Sequence, residues 1–201
     1  YTTLFRSKRF ISVDAVQSIL SAVSANERLR IDIWLVVVNA RISDLISALK
    51  TTGADVVQLH GDETPAFISQ LRTALSAEQR PARIIKALKA DDTVIKRAES
   101  YAGSVDGFLL DANTIGEYGG TGAEADRDIA TDFCRRFPSA GLAGGLTHQT
   151  VESIISVVRP GFVDVASGIE IDGQPGVQSQ DKMKRFADAV ARAAGHFNRP
   201  Q

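Results

Sequence analysis

An aspartate stands at the far end of an apolar run, where a charged side chain is costly to bury. The run DGFLLDA occupies residues 106–112, and Asp111 follows Leu109 and Leu110. Burial disfavours the charged form of a carboxyl group and so raises its pKa. A carboxyl group that keeps its proton near neutral pH can act as a general acid. Asp111 is therefore a candidate for acid–base chemistry, and the plain alternative is that it caps the following segment.

Other apolar runs also end in polar residues or glycines. They are followed by His60 after residues 54–59, Gly144 and Gly145 after residues 140–143, and Ser167 and Gly168 after residues 162–166. Glycines at such positions let backbone N–H groups approach an anion such as phosphate, although they also occur in simple tight turns. His60 could instead hydrogen-bond a loop carbonyl, and Asp164 could be a buried acid whose hydrogen bonds are satisfied.

The apolar runs have the length and composition of buried strands. They cover residues 31–38, 54–59, 83–88, 106–110, 140–143 and 162–166. Between them, apolar residues recur at helical spacing, with Ser12, Thr64, Thr147 and Ser179 as predicted N-caps, Pro65 at a first helical position and Gly53 as a stop. Runs that are apolar on both faces favour parallel strands covered by helices. The alternation predicts an α/β fold.

Two α/β architectures compete, an open doubly wound sheet and a closed (β/α)8 TIM barrel. We count seven strand–helix pairs if residues 1–5 are the end of a strand, and nothing indicates a reversal of strand order. A barrel needs eight pairs and typically about 250 residues. We therefore predict a single barrel domain over residues 1–201 that is N-terminally incomplete and lacks the first strand and helix. In such a barrel the active site lies at the carboxyl ends of the strands, where the candidate residues above are found.

The composition of the chain limits which kinds of binding partner and which kinds of site are expected. The net charge of -1 gives no electrostatic reason to expect nucleic acid or an anionic membrane. No apolar stretch reaches the roughly 18 residues of a membrane span. Cys134 is the one cysteine of the sequence, which excludes an internal disulfide and a multi-cysteine metal site. These features predict a cytoplasmic globular protein, and the sequence leaves open whether it is a monomer or a homodimer.

Taken together, the strand ends resemble a known family. The motifs are SKRFIS at 7–12, QLHGDE at 58–63, FLLDA at 108–112, GGTG at 119–122, LAGGL at 142–146, VDVASGIE at 163–170 and PGV at 175–177. In order and approximate spacing they are similar to those of phosphoribosylanthranilate isomerase of tryptophan biosynthesis. The resemblance covers essentially the whole chain, and it is the combination of motifs that is specific.

The resemblance implies an Amadori rearrangement of a phosphorylated small molecule, with no metal or cofactor. By position in the motifs, Asp111 matches the family's general acid, and Arg9 matches the arginine that meets the anthranilate carboxylate. His60 and Asp164 match substrate-contacting positions. The phosphate site is matched by Gly144, Gly145, Ser167 and Gly168.

Three departures from the family pattern qualify this expectation. The family's general base is a cysteine in a Lys-Ile-Cys-Gly motif after the first strand, and the printed sequence contains no such motif. We interpret Cys134, on a predicted helix, as a small core residue. The chain as written is therefore expected to be inactive. Lys8 stands where proline is usual in the family. Ala125-Asp126-Arg127 replaces the family's aromatic-Asp-Trp sequence. This second difference leaves open the shape of the preceding segment EYGGTG, residues 117–122, which is predicted to be a mobile loop.

Two alternatives stay open. One is a degenerate barrel that binds phosphate without catalysis, which the missing base favours. The other is a sister enzyme such as indole-3-glycerol-phosphate synthase, which would require paired lysine and glutamate at early strand ends. Lys86 lies in a predicted strand, but no matching set accompanies it.

Overall fold

The computed structural model describes residues 9–23, 26, 31–112 and 121–197. The chain divides into two compact units, the first comprising Tyr1–Ala87 with Ser100–Gly107 and the second Leu88–Glu99 with Phe108–Gln201. The predicted strand stub at residues 1–5, the beginning of SKRFIS and positions 117–120 of EYGGTG lie outside the described residues.

The first unit consists of parallel strands alternating with helices. Its elements are α1 (Val13–Ala22), β1 (Trp34–Val37), α2 (Ile42–Thr52), β2 (Val56–Leu59), α3 (Pro65–Ala77) and the first five residues of β3 (Arg83–Lys89). β2 lies between β1 and β3, with Val56 in register with both Trp34 and Arg83. The predicted α/β alternation is confirmed in this unit.

Local signals explain where these helices begin and end. The Ser12 hydroxyl accepts a hydrogen bond from the Ala15 N–H at 3.2 Å, which caps α1. The Thr64 hydroxyl caps α3 in the same way, and Pro65 occupies the first helical position. α2 ends at Gly53, whose φ of 65° is in the left-handed region that glycine tolerates. The predicted caps and stop are confirmed.

The core of the first unit lies between its helices and strands. Leu49 from α2, Val57 from β2 and Leu71 from α3 are completely buried and belong to one apolar cluster. All four residues of β2 are buried, so both faces of the strand are covered, as expected for a parallel strand packed between helices.

The second unit repeats the pattern. Its elements are α4 (Val94–Ser100), β4 (Gly107–Asp111), α5 (Thr121–Arg136), β5 (Gly141–Ala143), α6 (Val151–Val158), β6 (Phe162–Val163), a 3₁₀ turn at Ser167–Ile169 and α7 (Gln180–Phe197). The last residue of α4, Ser100, and the first residue of β4, Gly107, are assigned to the first unit. The three strands are parallel, with β5 between β4 and β6. The rings of Phe108, Phe133 and Phe137 pack together with centroids 4.9–6.1 Å apart and join β4 to α5.

Three sequence-based boundaries in this unit are wrong. Thr121 and Gly122, assigned to a loop, begin α5. The N-cap of α6 is Thr150, because Thr147 is taken up in the preceding turn, where its carbonyl accepts from the N–H groups of Thr150 and Val151. β6 ends at Val163 because the chain soon turns into the 3₁₀ segment.

Among the described residues, no helix combines the length and the apolar character that crossing a membrane requires.

Candidate active site

In the second unit, Asp111 lies at the carboxyl end of β4, as the sequence predicts, and is partly exposed. Its carbonyl oxygen accepts a hydrogen bond from the Ala90 N–H at 3.0 Å, just after β3. On the other side it is in register with Ala143, the last residue of β5. Neighbouring chain on both sides therefore holds the backbone of Asp111, while the buried Leu110 precedes it.

Gly144 and Gly145 follow β5 directly, so they lie next to the end of β4. Gly144 has a φ of 103°, and a Cβ atom there would be 1.7 Å from the carbonyl oxygen of Ala112. Gly145 has a φ of 62°, also in the left-handed region. Gly144 thus has a steric reason to be glycine that is independent of any ligand.

The segment after β6 lies beside the segment after β5. The Asp164 N–H donates to the carbonyl oxygen of Leu142 at 2.9 Å, which extends the strand pairing by one residue. Ser167 and Gly168 then enter the 3₁₀ turn, and a Cβ atom on Gly168 would be 1.9 Å from the Leu146 carbonyl oxygen. The structure therefore brings the two predicted phosphate-binding segments together at one edge of the second unit, the edge at which Asp111 ends its strand.

The PGV motif belongs to a turn that follows this edge. The Glu170 carboxylate accepts a hydrogen bond from the Gly176 N–H at 2.9 Å, and the Glu170 carbonyl accepts one from Lys182 Nζ at 2.9 Å. Lys182 also pairs with Asp172 at 2.7 Å, which lowers the pKa of that exposed carboxyl. These contacts attach the turn to the start of α7.

In the first unit, His60 follows β2, as predicted. Its N–H donates to the Val37 carbonyl oxygen at 2.8 Å, and its Nδ1 is 3.1 Å from Nε2 of Gln58. Arg9 is partly exposed in a turn ahead of α1.

Sequence reasoning missed a buried ion pair beside His60. Lys86 Nζ lies 3.1 Å from Oε2 of Glu63, and their side chains are 2% and 1% exposed. The sequence did contain an indication of this ion pair, because a lysine in the middle of the buried strand RIIKALK requires an acidic partner or several hydrogen-bond acceptors. Sequence analysis considered Lys86 only as part of a lysine and glutamate set typical of a sister synthase, and did not pair it with Glu63.

Cys134 lies on α5 and is only 3% exposed, which confirms its interpretation as a core residue. Burial raises the pKa of its thiol to about 11. Because the thiolate is the reactive form, this thiol is poorly suited to act as a nucleophile or a base near neutral pH.

The described residues of the first unit also line an open cavity of about 530 Å³ near the amino-terminal ends of β2 and β3. It contains none of the predicted site residues. Two of its arginines have partners: Arg72 contacts Asp106 and the Ser104 carbonyl, and Arg80 contacts the Ala54 carbonyl. These contacts stabilise the strand starts, and we assign no chemistry to the cavity.

Within the part of the chain that the structure describes, no group of three or more His, Cys, Asp or Glu side chains is placed to hold a metal ion.

The matching family model and the two relatives described here agree on one family. The family model described as N-(5'phosphoribosyl)anthranilate (PRA) isomerase matches residues 3–189. An N-(5'-phosphoribosyl)anthranilate isomerase from Acetivibrio thermocellus is 37% identical over 163 residues, covering 79% of this chain and 71% of that protein. The protein of the same name from a Roseiflexus species is 37% identical over 194 residues, covering 94% and 84%.

Among solved structures, the phosphoribosyl anthranilate isomerase of Thermotoga maritima matches with a TM-score of 0.75 at 29% identity. The match covers 95% of this chain and 85% of that one. It confirms the predicted fold class, an α/β fold of the (β/α)8 barrel type.

Proposed function

The chain belongs to the N-(5'-phosphoribosyl)anthranilate isomerase family, and we propose that it catalyses the Amadori rearrangement of N-(5-phosphoribosyl)anthranilate in tryptophan biosynthesis. The product is 1-(2-carboxyphenylamino)-1-deoxyribulose 5-phosphate. The observation that carries the proposal is the position of Asp111, at the end of β4 and beside the glycines that follow β5. The isomerase relatives favour this reaction over a non-catalytic barrel and over a sister synthase.

The reaction needs one proton donor and one proton acceptor. Protonation of the ribose ring oxygen breaks its bond to C1, while the anthranilate nitrogen lone pair forms a C1=N double bond. Removal of the C2 proton then gives an enolamine, which tautomerises to the ketone as C1 gains a proton. Positioned acid and base groups typically contribute about 10²–10⁴-fold each to such steps.

Asp111 is assigned the proton donation to the ring oxygen. Its carboxyl group is partly exposed, so a substrate can reach it, and its backbone is held by the hydrogen bond from Ala90. The strand residues Phe108, Leu109 and Leu110 before it are buried, which limits where the side chain can go. A carboxyl group whose backbone is held at the edge of an apolar strand is suited to protonating a bound ring oxygen.

Cys134 is not the base, because it is buried on α5 and its pKa is raised. We therefore propose that a group other than Cys134 removes the C2 proton.

The substrate contacts follow from the matched motifs. We propose that Arg9 meets the anthranilate carboxylate and that His60 and Asp164 contact the substrate. Backbone N–H groups at Gly144, Gly145, Ser167 and Gly168 would hold the phosphate, supported by the side-by-side placement of the two segments after β5 and β6. A biosynthetic role fits a cytoplasmic protein acting on a soluble phosphorylated substrate without a cofactor, as a monomer or a homodimer.

The test has two readouts on the purified protein. Calorimetry measures binding of the ribulose phosphate product, and loss of substrate fluorescence measures turnover. Binding with turnover supports the whole proposal, and binding without turnover supports the substrate site but contradicts the proposed catalysis. If the protein neither binds the product nor converts the substrate, the proposed function is wrong.

A further inference from the structure

Lys86 and Glu63 form an ion pair from which solvent is almost completely excluded. The two side chains are 2% and 1% exposed, and the Nζ to Oε2 distance is 3.1 Å. Removing two charges from water is costly, and a pair of apolar residues often stabilises a fold as well or better. The pair therefore needs an explanation other than stability.

Lys86 uses all three of its N–H donors in this network. Besides Oε2 of Glu63, Nζ donates to the carbonyl oxygens of Leu59 at 3.1 Å and Gly61 at 2.6 Å. These two carbonyls lie immediately before and after His60. The lysine consequently fixes the backbone on both sides of the histidine.

Glu63 completes the network from the other side. Its Oε2 accepts a hydrogen bond from the Gly61 N–H at 3.0 Å, and its Oε1 accepts one from the Asn39 N–H at 2.7 Å. The Asn39 side-chain oxygen in turn accepts from the Asp62 N–H at 2.8 Å. The loop after β2 is thus tied to the loop after β1 as well as to β3.

The packing at Gly61 shows how closely these loops approach each other. A Cβ atom at that position would be 2.4 Å from the side-chain oxygen of Asn39. Asn39 itself has a φ of 50°, a left-handed conformation that costs free energy for a residue other than glycine and that its hydrogen bonds help to offset. The loop has one tightly specified shape.

We infer that Lys86 and Glu63 are positioning residues: together they fix the loop Leu59–Glu63 and so place His60 for contact with the substrate. The inference rests on the proposed function for the role of His60, whereas the fixing of the loop can be measured without activity. The pair acts through the backbone of the loop, and neither residue is assigned a contact with the substrate.

The test compares Lys86→Met with the double variant Lys86→Met/Glu63→Gln. The single variant leaves a buried carboxylate without its cation and can fail to fold, whereas the double variant removes both charges. Lys89→Met is the matched control, because Lys89 ends the same strand and is exposed. In the double variant we expect the Gly61 and Asp62 amides to exchange hydrogen at least about tenfold faster, with no such change in the control.

A double-mutant cycle with His60→Ala separates positioning from general scaffolding. It is measured as product affinity, and as KM and kcat if the wild-type protein turns over. We expect the double variant to weaken product binding and raise KM about tenfold or more when His60 is present, and to have little further effect in the His60→Ala background.

Equal losses in both backgrounds, an unchanged affinity in His60→Ala, or unchanged exchange at Gly61 and Asp62 would each overturn the inference. Faster exchange at those amides in a protein that binds no product would instead contradict the proposed function alone.

Discussion

Gly144 lies so close to Ala112 that a Cβ atom on the glycine would be 1.7 Å from the Ala112 carbonyl oxygen. Left-handed backbone strain alone costs about 1–3 kcal/mol. We expect Gly144→Ala to destabilise the protein by more than this, because the clash with the Ala112 carbonyl oxygen adds to the strain. Urea unfolding measures the effect. Gly173→Ala is the control, since Gly173 has a φ of 75° but no atom near its Cβ position. Equal destabilisation by the two substitutions would contradict the steric explanation.

Asp111→Asn should abolish most of the catalysis while leaving the fold intact. Asparagine has nearly the same shape but cannot donate a proton as a carboxylic acid does, so we expect kcat to fall about 10²–10⁴-fold. The measurement uses a form of the protein whose wild-type turnover has been established, and circular dichroism checks the fold.

Asp106→Asn is the matched control at the other end of the same run. Its carboxylate accepts hydrogen bonds from the Ile84 N–H at 2.7 Å and from Arg72 at 2.9 Å. We expect this variant to lower stability and to spare kcat. Near-full turnover in Asp111→Asn would mean that Asp111 is structural.

Gly145→Val should weaken binding of inorganic phosphate and of sulfate. Gly145 has a φ of 62°, and a β-branched side chain there would both strain the backbone and block the approach of an anion to its N–H groups. Titration calorimetry measures the affinity, and Gly103→Val, at a φ of 78° in the first unit, controls for strain. Unchanged phosphate affinity in Gly145→Val would show that this segment does not hold the anion.

Burial of Cys134 should make stability depend on pH in the alkaline range. Its pKa rises from 9.0 to about 11 on folding, so the unfolded chain loses the thiol proton at lower pH than the folded protein does. The stabilisation is fully present below pH 9 and is lost as pH rises to about 11, amounting to at most about 3 kcal/mol. Urea unfolding of wild type and Cys134→Ala across this range measures the difference.

The same burial predicts slow reaction of the Cys134 thiol with a disulfide reagent in native protein at pH 8, and fast reaction in urea. A thiol that reacts equally fast in both conditions would show that Cys134 is accessible, and the assignment to the core would then fail.

The class of fold and most helix and strand positions, apart from the three boundaries corrected above, can be predicted from the sequence. Ser12, the Thr64-Pro65 pair and Gly53 mark helix ends through hydrogen bonds and backbone conformations confined to a few residues, so their meaning can be recognised without a structure. The apolar runs located the six described strands, and the order of motifs at their ends identified the family. Asp111 could be singled out because an acid after a buried run is unusual wherever the run lies.

Tertiary structure decided what depends on strands lying side by side. Lys86 and Glu63 are 23 positions apart, and only the register of β2 against β3 brings them together. The approach of Ala112 to Gly144 likewise follows from the pairing of β4 with β5. A lysine in a buried strand indicates that the structure must supply a partner for its charge. The local sequence does not identify the acid, because packing between distant segments determines which acid lies beside the lysine.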